Sequence, residues 1–309
     1  MADDERSRLL GIKSNLEHRA KIFELTRAFF CGNGFLELDT PVRVPSVAPE
    51  SEIVPFSSED WFLSTSPELY MKRLLAAGYD KIFQISHCFR KGEQGRYHNP
   101  EFTLLEWYRI GADYMQMVSD TEQLVLAIAA GLQTTPLIHY KNQTIDISTP
   151  WPRLTVHDVF VNVAGWDPVA ELEPSRFDVD LVTRVVPSFV SDRPTVLLDY
   201  PAALASLARI KPDNPGVAER AEVFIGGLEL ANAYSELNDV QEQKQRFVAE
   251  IEKIWQKESY KASLSVKFLE AMVHLPACGG IALGMDRLVM LFCDAGSMAE
   301  VIPFTVDEA

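Results

Sequence analysis

One segment, FRKGEQGRYHNPEFTLLEWY from Phe89 to Tyr108, constrains the fold of this chain more than any other. It places Arg90, Lys91, Arg96 and His98 within nine residues of a chain whose formal net charge is −15. Apolar and polar residues alternate before and after this cationic run, which predicts two antiparallel strands joined by a long loop. A cluster of cations in an acidic protein indicates that the loop binds an anion.

Strand alternation also brings polar side chains onto one face of each predicted strand. These faces hold Gln84, Ser86, Cys88 and Arg90 on residues 81–90, and Phe102, Leu104, Glu106 and Tyr108 on residues 101–110. Polar residues on a central strand are typical of the wall of a cleft. From this hairpin alone, a solvated sheet face beside an ion-paired loop fits the pattern equally well.

A second motif, EVFIGGLE, begins at Glu222 and ends at Glu229, and its Gly-Gly pair predicts a two-residue hairpin turn. If the turn sets the register, Phe224 faces Glu229 and Glu222 faces Ala231. The two carboxylates are then diagonal neighbours, roughly 7–8 Å apart at Cα. They repel each other unless a cation lies between them, and oxygen ligands suit Mg²⁺. Two solvent-exposed glutamates on a hairpin are the alternative.

Other charged residues near these motifs point to the same kind of ligand. Glu68, Glu106 and Glu236 add carboxylates, which favour a doubly cationic substrate such as a diamino acid. Arg287 lies in the first turn of the last predicted helix, just after its predicted N-cap Asp286. A cation is unfavourable there for the helix dipole, which indicates that Arg287 contacts a ligand.

Composition excludes several classes of protein. No apolar run approaches the ~18 residues needed to span a membrane, and the N-terminus lacks the apolar core of a signal peptide. The scattered Cys31, Cys88, Cys278 and Cys293 predict reduced thiols in a cytoplasmic protein. The 44 acidic against 29 basic side chains argue against a broad nucleic-acid surface.

The remaining periodicity predicts helices that flank and interrupt mostly antiparallel strands, which is typical of the α+β class. Predicted helices cover 14–30, 67–77, 113–130, 177–189, 239–255, 264–274 and the residues after 286, and further strands cover 35–39, 195–200, 222–225 and 228–232. Ser14 and Glu17 predict a capping box on the first helix. We expect a single domain over residues 1–309, with residues 132–195 as a helical insertion.

Together these motifs resemble the catalytic core of class II aminoacyl-tRNA synthetases, an antiparallel β-sheet flanked by helices. The stretch that ends at Pro41 is similar to motif 1, the segment 89–108 to motif 2, and GIALGMDRLVML at 280–291 to motif 3. The block EVFIGGLELANAYSELND at 222–239 is similar to that of the lysyl enzymes.

Only about a dozen residues precede the first predicted helix, so we expect no β-barrel anticodon-binding domain. In this respect the chain resembles the elongation factor P–lysine ligase family. The resemblance implies that the chain uses ATP and Mg²⁺ to activate lysine, preferably (R)-β-lysine, and attaches it to a lysine side chain of elongation factor P. It also implies a homodimer, without anticodon recognition or membrane contact.

The resemblance assigns an ATP site, in which Arg90 holds the α-phosphate while Phe102 and Arg287 enclose the adenine. The other implied ATP contacts are Lys91, Gly92, His98, Asn99, Glu229, Leu230 and Gly284. Glu222 and Glu229 are the implied Mg²⁺ ligands. Motif 2 usually opens with Phe-Arg-Asn-Glu, whereas here Gly92 replaces the adenine-contacting glutamate. Glu93 can substitute for it if the loop shifts.

The resemblance also assigns an amino-acid site. Its implied members are Ser66, Pro67 and Glu68 around the substrate, Glu106 at the α-side or β-amino group, Asn232 at the carboxylate, Tyr108 with Glu236 at the distal ammonium, and Ala282. Lysyl enzymes that charge tRNA usually have glycine in place of Ala282, and the extra methyl group favours β-lysine.

Two other functions remain open from the sequence. One is a lysyl-tRNA synthetase-like enzyme that acts on tRNA but lacks the anticodon domain. The other is an amino-acid sensor without catalytic activity, against which the presence of Arg90, Glu222, Glu229 and Arg287 argues.

Overall fold

The computed structural model describes residues 3–309. Its α-helices are α1 (Asp3–Gly11), α2 (Lys13–Gly32), α3 (Glu68–Ala76), α4 (Tyr114–Gly131), α5 (Val156–Val159), α6 (Pro174–Asp180), α7 (Val186–Ser188), α8 (Val240–Gln256), α9 (Val266–Met272) and α10 (Met285–Phe292). Its strands are β1 (Leu36–Glu37), β2 (Arg43–Val44), β3 (Ser57–Ser58), β4 (Trp61–Leu63), β5 (Lys81–Phe89), β6 (Glu101–Ile110), β7 (Leu137–Tyr140), β8 (Gln143–Asp146), β9 (Arg153–Thr155), β10 (Thr195–Pro201), β11 (Val217–Ile225), β12 (Leu228–Ser235) and β13 (Cys278–Gly284).

The chain forms two compact units. Unit 1 contains the described residues up to Ile110, together with Asn238–Pro276 and Gly284–Ala309. Unit 2 contains Gly111–Leu237 and Ala277–Leu283. In both units helices pack with mostly antiparallel strands, so the α+β prediction is confirmed. No helix within residues 3–309 combines the length and apolar character needed to cross a membrane.

Unit 1 is built on the predicted hairpin. β5 and β6 pair antiparallel, with Gln84 opposite Glu106, and β1 adds a parallel edge strand. Phe30 of α2 is fully buried and stacks on Phe83 of β5, with 4.8 Å between the ring centroids. The packing of α2 against this hairpin fixes the strands whose far ends carry the candidate site.

The start of α2 differs from its prediction. Ile12 is the N-cap and makes no side-chain capping bond, so the capping box at Ser14 and Glu17 is wrong. The helix α1 precedes α2 almost without a break, which removes the free helix end that a capping box would satisfy.

Five neighbouring strands of unit 2 follow the order β13-β12-β11-β10-β9, and all their pairings are antiparallel except that of β10 and β9. Residues 137–155 form the β7–β8 hairpin and β9, and helical segments occupy much of 156–188. Within this helical region Phe160 stacks on Phe177, with 4.7 Å between the ring centroids.

The β11–β12 hairpin contains a β-bulge that the sequence does not reveal. Phe224 lies opposite Glu229 as predicted, but Glu222 lies opposite Asn232 and not opposite Ala231. Val223 pairs with Ala231, so Leu230 is the extra residue on β12. The predicted register for Glu222 is therefore wrong by one residue.

The two turn glycines offer a matched test of this hairpin. Gly226 and Gly227 both have positive φ angles, 59° and 78°. A Cβ on Gly226 would lie 2.6 Å from Cδ1 of Tyr140, whereas a Cβ on Gly227 meets nothing within 4 Å. We expect Gly227→Ala to lower the free energy of unfolding by about 1 kcal/mol and Gly226→Ala by about 3 kcal/mol. Urea unfolding of both variants measures the difference, and equal losses would contradict the clash.

Candidate active site

Unit 1 contains a buried carboxylate, Glu106, at the centre of the polar face of β6. Its side chain accepts a hydrogen bond from Ser66 Oγ at 2.6 Å and another from Tyr108 OH at 2.7 Å. Ser66 Oγ also accepts the backbone N–H of Glu68, which fixes the start of α3. The hydroxyl of Ser66 therefore joins the first turn of this helix to the strand.

The surroundings of Glu106 shift its protonation into the neutral pH range. Burial and the neighbouring Glu68 carboxylate raise the pKa of Glu106 to about 7, against the lowering effect of Ser66, Tyr108 and Lys72. Burial makes the ionised form of this carboxylate costly. A cation bound beside it offsets that cost and favours the ionised form. The site therefore suits an ammonium group.

Glu68 shares this environment with a lysine that the sequence analysis did not select. Lys72 Nζ lies 2.5 Å from Glu68 Oε1, one helical turn further along α3. Lys72 is only 1% exposed, so the pair is a buried ion pair. The sequence signal was present, since Glu68 and Lys72 are four residues apart on a helix.

Arg90 and Phe102 form the second group of unit 1. The guanidinium of Arg90 lies 5.0 Å from the centre of the Phe102 ring, and Nε donates to Thr65 O at 3.4 Å. Arg90 Nη1 also lies 3.7 Å from Glu93 Oε1. A guanidinium beside an aromatic face suits a nucleotide, because the guanidinium can bind a phosphate and the aromatic ring can stack on the base.

Gly92 has a φ of 85°, a conformation that residues with a Cβ rarely adopt. The turn at Gly92 brings Glu93 beside Arg90, and the two side chains form an ion pair. This position does not by itself give Glu93 the adenine contact expected of the missing motif 2 glutamate.

Glu93→Gln is expected to lower the KM for ATP by about two- to fivefold, because ATP no longer displaces a partly exposed ion pair. Steady-state kinetics at several ATP concentrations provide the measurement. Glu101→Gln is the control, because the carboxylate of Glu101 faces the exposed His87 on the same hairpin. A higher KM for ATP in Glu93→Gln would instead indicate that Glu93 contacts the nucleotide.

The loop between β5 and β6 also contacts the C-terminal segment of unit 1. Arg287 Nη2 lies 2.7 Å from His98 Nε2, and burial together with the Arg287 charge lowers the pKa of His98. Asn99 donates to Glu101 O and accepts from the backbone of Val306, so its amide supports the loop. Lys91 is exposed, and its backbone N–H donates to Val54 O.

Arg287 is held at the start of α10, whose N-cap is Gly284. The prediction of Asp286 as the N-cap is therefore wrong, because Asp286 lies inside the first turn. Its carboxylate accepts the backbone N–H of Thr103 at 2.7 Å and forms an ion pair with Arg19 at 2.6 Å. The hydrogen bond fixes α10 to β6 and the ion pair fixes it to α2, and together they position Arg287.

Unit 2 carries the second group of predicted residues. Glu222 Oε1 accepts from Arg220 Nη2 at 2.7 Å and from Asn232 Nδ2 at 3.3 Å. Burial and the nearby Glu229 carboxylate raise the pKa of Glu222. The bulge at Leu230 matters here, because regular alternation would place Glu229 and Asn232 on opposite faces of β12. With the bulge, both lie on the face of Glu222.

Residues of unit 2 expected near the substrate surround this face. Ala282 of β13 lies directly opposite Asn232, and Glu236 is buried, with its backbone N–H bonded to Cys278 O. The carbonyl Oδ1 of Asn232 is buried and makes no hydrogen bond to the described residues. Two carboxylates and this unsatisfied oxygen give an oxygen-rich face that fits Mg²⁺, with phosphate and water as the remaining ligands.

The fold and the positions of these residues define a class of protein. A family model of class II tRNA synthetases (D, K and N) matches residues 7–308, and the chain belongs to this family of enzymes. Members of the family generally use ATP and Mg²⁺.

Individual curated relatives show which members of this family the chain is similar to. The chain is 36% identical to an elongation factor P–(R)-β-lysine ligase of Enterobacter sp. (strain 638), over 96% of each protein. A ligase of the same name from Hamiltonella defensa is also 36% identical over 96% of both. The lysine–tRNA ligase of Pelotomaculum thermopropionicum is 35% identical over 95% of this chain, which spans only 63% of that longer protein.

Proposed function

We propose that this protein is an ATP-dependent ligase that activates lysine as an aminoacyl-adenylate and transfers it to a lysine side chain of elongation factor P. The observation that carries the proposal is the β5–β6 hairpin. It holds an amine-binding carboxylate, Glu106, and a phosphate-binding cation, Arg90, within one unit. The likeness to elongation factor P–(R)-β-lysine ligases over nearly their whole length supports the choice of acceptor.

In the first step, an oxygen of the lysine carboxylate attacks the α-phosphorus of ATP, and pyrophosphate leaves. Arg90 holds the α-phosphate and stabilises the charge that develops on it. Phe102 and Arg287 hold the adenine, which requires Arg287 to exchange its contact with His98 for one with the base. Glu222 and Glu229 would hold Mg²⁺, which would neutralise phosphate charge.

In the second step, an unprotonated lysine amine of elongation factor P attacks the carbonyl carbon of the adenylate, and AMP leaves as an amide bond forms. No covalent enzyme intermediate is needed, so the contribution of the protein is positioning. Glu106, with Ser66, binds one ammonium group of the substrate. Asn232 binds the carboxylate side, and Tyr108 with Glu236 binds the second ammonium group.

The decisive experiment is intact-mass analysis of elongation factor P after incubation with the protein, ATP and either α-lysine or (R)-β-lysine. We expect the mass to rise by one lysyl residue, with (R)-β-lysine the better substrate. A parallel reaction with bulk tRNA tests the tRNA-directed alternative. Labelled tRNA with unmodified elongation factor P would contradict the proposal, and the absence of any adenylate would favour a non-catalytic sensor.

Ala282 provides a separate prediction about the lysine isomer. We expect Ala282→Gly to raise kcat/KM for α-lysine relative to (R)-β-lysine by about tenfold, because removing one methyl group opens the space opposite Asn232. Pyrophosphate exchange with each isomer measures the ratio. An unchanged ratio would show that another residue selects the isomer.

We also propose a cytoplasmic homodimer formed through the motif 1 region. Val42, which follows the motif 1 proline Pro41, is 42% exposed, and Leu36, five residues before that proline, is 50% exposed. Apolar side chains at this position gain stability if a second copy covers them. Sedimentation at micromolar concentration distinguishes a dimer from a monomer, and Leu36→Glu is expected to favour the monomer.

A further inference from the structure

The amine-binding part of unit 1 already contains a cation. Lys72 is 1% exposed and contacts Glu68, which is 9% exposed. The start of α3 is fixed separately, because Ser66 accepts the backbone N–H of Glu68. A buried lysine is costly unless a carboxylate faces it, so the structure keeps both charges together.

We propose that Lys72 is a positioning residue, whose ammonium neutralises Glu68 and leaves Glu106 as the carboxylate that binds a single ammonium of the substrate. This inference rests on the proposed function and specifies which charge of the site remains for lysine. Lys72 acts through Glu68 and Glu106 and does not need to touch the substrate.

The charges around Glu106 support this role. Glu68 and Lys72 face it from α3 and have opposite effects on its protonation. Tyr108 contacts it along its own strand, and the thiol of Cys88 on β5 is kept neutral by burial, which raises its pKa to about 12. Lys72 is therefore the cation that acts on Glu106 from α3.

Removing Lys72 would leave two neighbouring buried carboxylates without this compensation. Neighbouring buried carboxylates favour protonation of one member, and Glu106, the more buried of the two, would take the proton. A protonated Glu106 offers no charge to an incoming ammonium. Lys72 thus keeps Glu106 available for the substrate at neutral pH.

The kinetic test compares Lys72→Met with Lys72→Arg in lysine-dependent ATP–pyrophosphate exchange at pH 7.5. We expect Lys72→Met to raise the KM for lysine about threefold at this pH, as a rise of about one unit in the pKa of Glu106 requires, while the KM for ATP stays within about 1.5-fold of wild type. Lys72→Arg restores the charge and should recover most of the loss. Lys21→Met, which removes an exposed ion pair with Glu24, is the control and should have no effect. Equal increases in both KM values, without recovery by arginine, would indicate a merely structural role and overturn the proposal.

A second test does not depend on activity. NMR titration of protein labelled with ¹³C at glutamate carboxyl groups reports the pKa of Glu106, which Glu106→Gln assigns by the loss of its signal. We expect Lys72→Met to raise this pKa by about one pH unit, and the double variant Lys72→Met with Glu68→Gln to return it close to the wild-type value. The double variant also has no uncompensated charge at α3, which protects its folding.

The two tests separate this inference from the proposed function. A pKa change in a protein that does not activate lysine would refute the proposed function and retain the electrostatic role of Lys72. An active protein whose Glu106 pKa is unchanged by Lys72→Met would refute the role of Lys72 and retain the function.

Discussion

Arg90→Ala is expected to reduce lysine-dependent ATP–pyrophosphate exchange by about 1,000-fold, because it removes the cation that stabilises charge on the α-phosphate during adenylate formation. Arg90 lies over Phe102, and its counter-ion among residues 3–309 is the partly exposed Glu93, so a phosphate can replace that partner at small cost. We expect most of the loss in kcat, since charge develops on the phosphate in the transition state.

Two further variants make the result specific. Arg90→Lys keeps the charge but loses the planar donor pair, so its activity should lie between those of wild type and Arg90→Ala. Arg27→Ala removes an exposed ion pair with Glu37 and should leave exchange within about twofold of wild type. Near-normal exchange by Arg90→Ala would refute the proposed ATP site.

Much of unit 1 can be predicted from the sequence, because the alternation of side chains along a strand is a local pattern. Alternation along β5 and β6 specifies their pairing, and the observed register places Gln84 opposite Glu106 and Cys88 opposite Phe102. This alternation selected Glu106 and Tyr108 as neighbours on one face, where the structure joins them by a hydrogen bond.

The features that the sequence did not reveal depend on contacts between distant residues or on local backbone geometry. The bulge at Leu230 changes which face of β12 each side chain occupies, and no residue type at that position announces it. Aspartate is a residue type that helix N-caps favour, but the carboxylate of Asp286 binds Arg19 and the backbone N–H of Thr103, which lie far away in the chain. The pair formed by Lys72 and Glu68 becomes informative only when both are seen to be buried beside Glu106.

Glu106→Gln is expected to abolish lysine activation at pH 8 and at the same time to stabilise the folded protein by about 1–3 kcal/mol at that pH. The pKa of Glu106 is about 7 in the folded protein, above its ordinary value of 4.5. The folded state therefore holds the proton more tightly than the unfolded chain does. Above pH 7 the buried carboxylate is ionised, which costs about 3 kcal/mol of stability. This cost is absent below pH 4.5, and it grows as the pH rises from about 4.5 to about 7.

The difference in unfolding free energy between Glu106→Gln and wild type should therefore be largest near pH 8 and should shrink as the pH falls towards 5, as measured by urea unfolding. In wild type, kcat/KM for lysine should fall about tenfold per pH unit below pH 7. Protonation of Glu106 removes the negative charge that binds the ammonium group of the substrate. Gln84→Ala on the facing strand is a useful control, since it changes the same face of the hairpin without changing its charge. A stability difference that does not vary with pH would show that Glu106 is ionised without cost, and the site would then lack the unfavourable charge that an ammonium substrate is proposed to relieve.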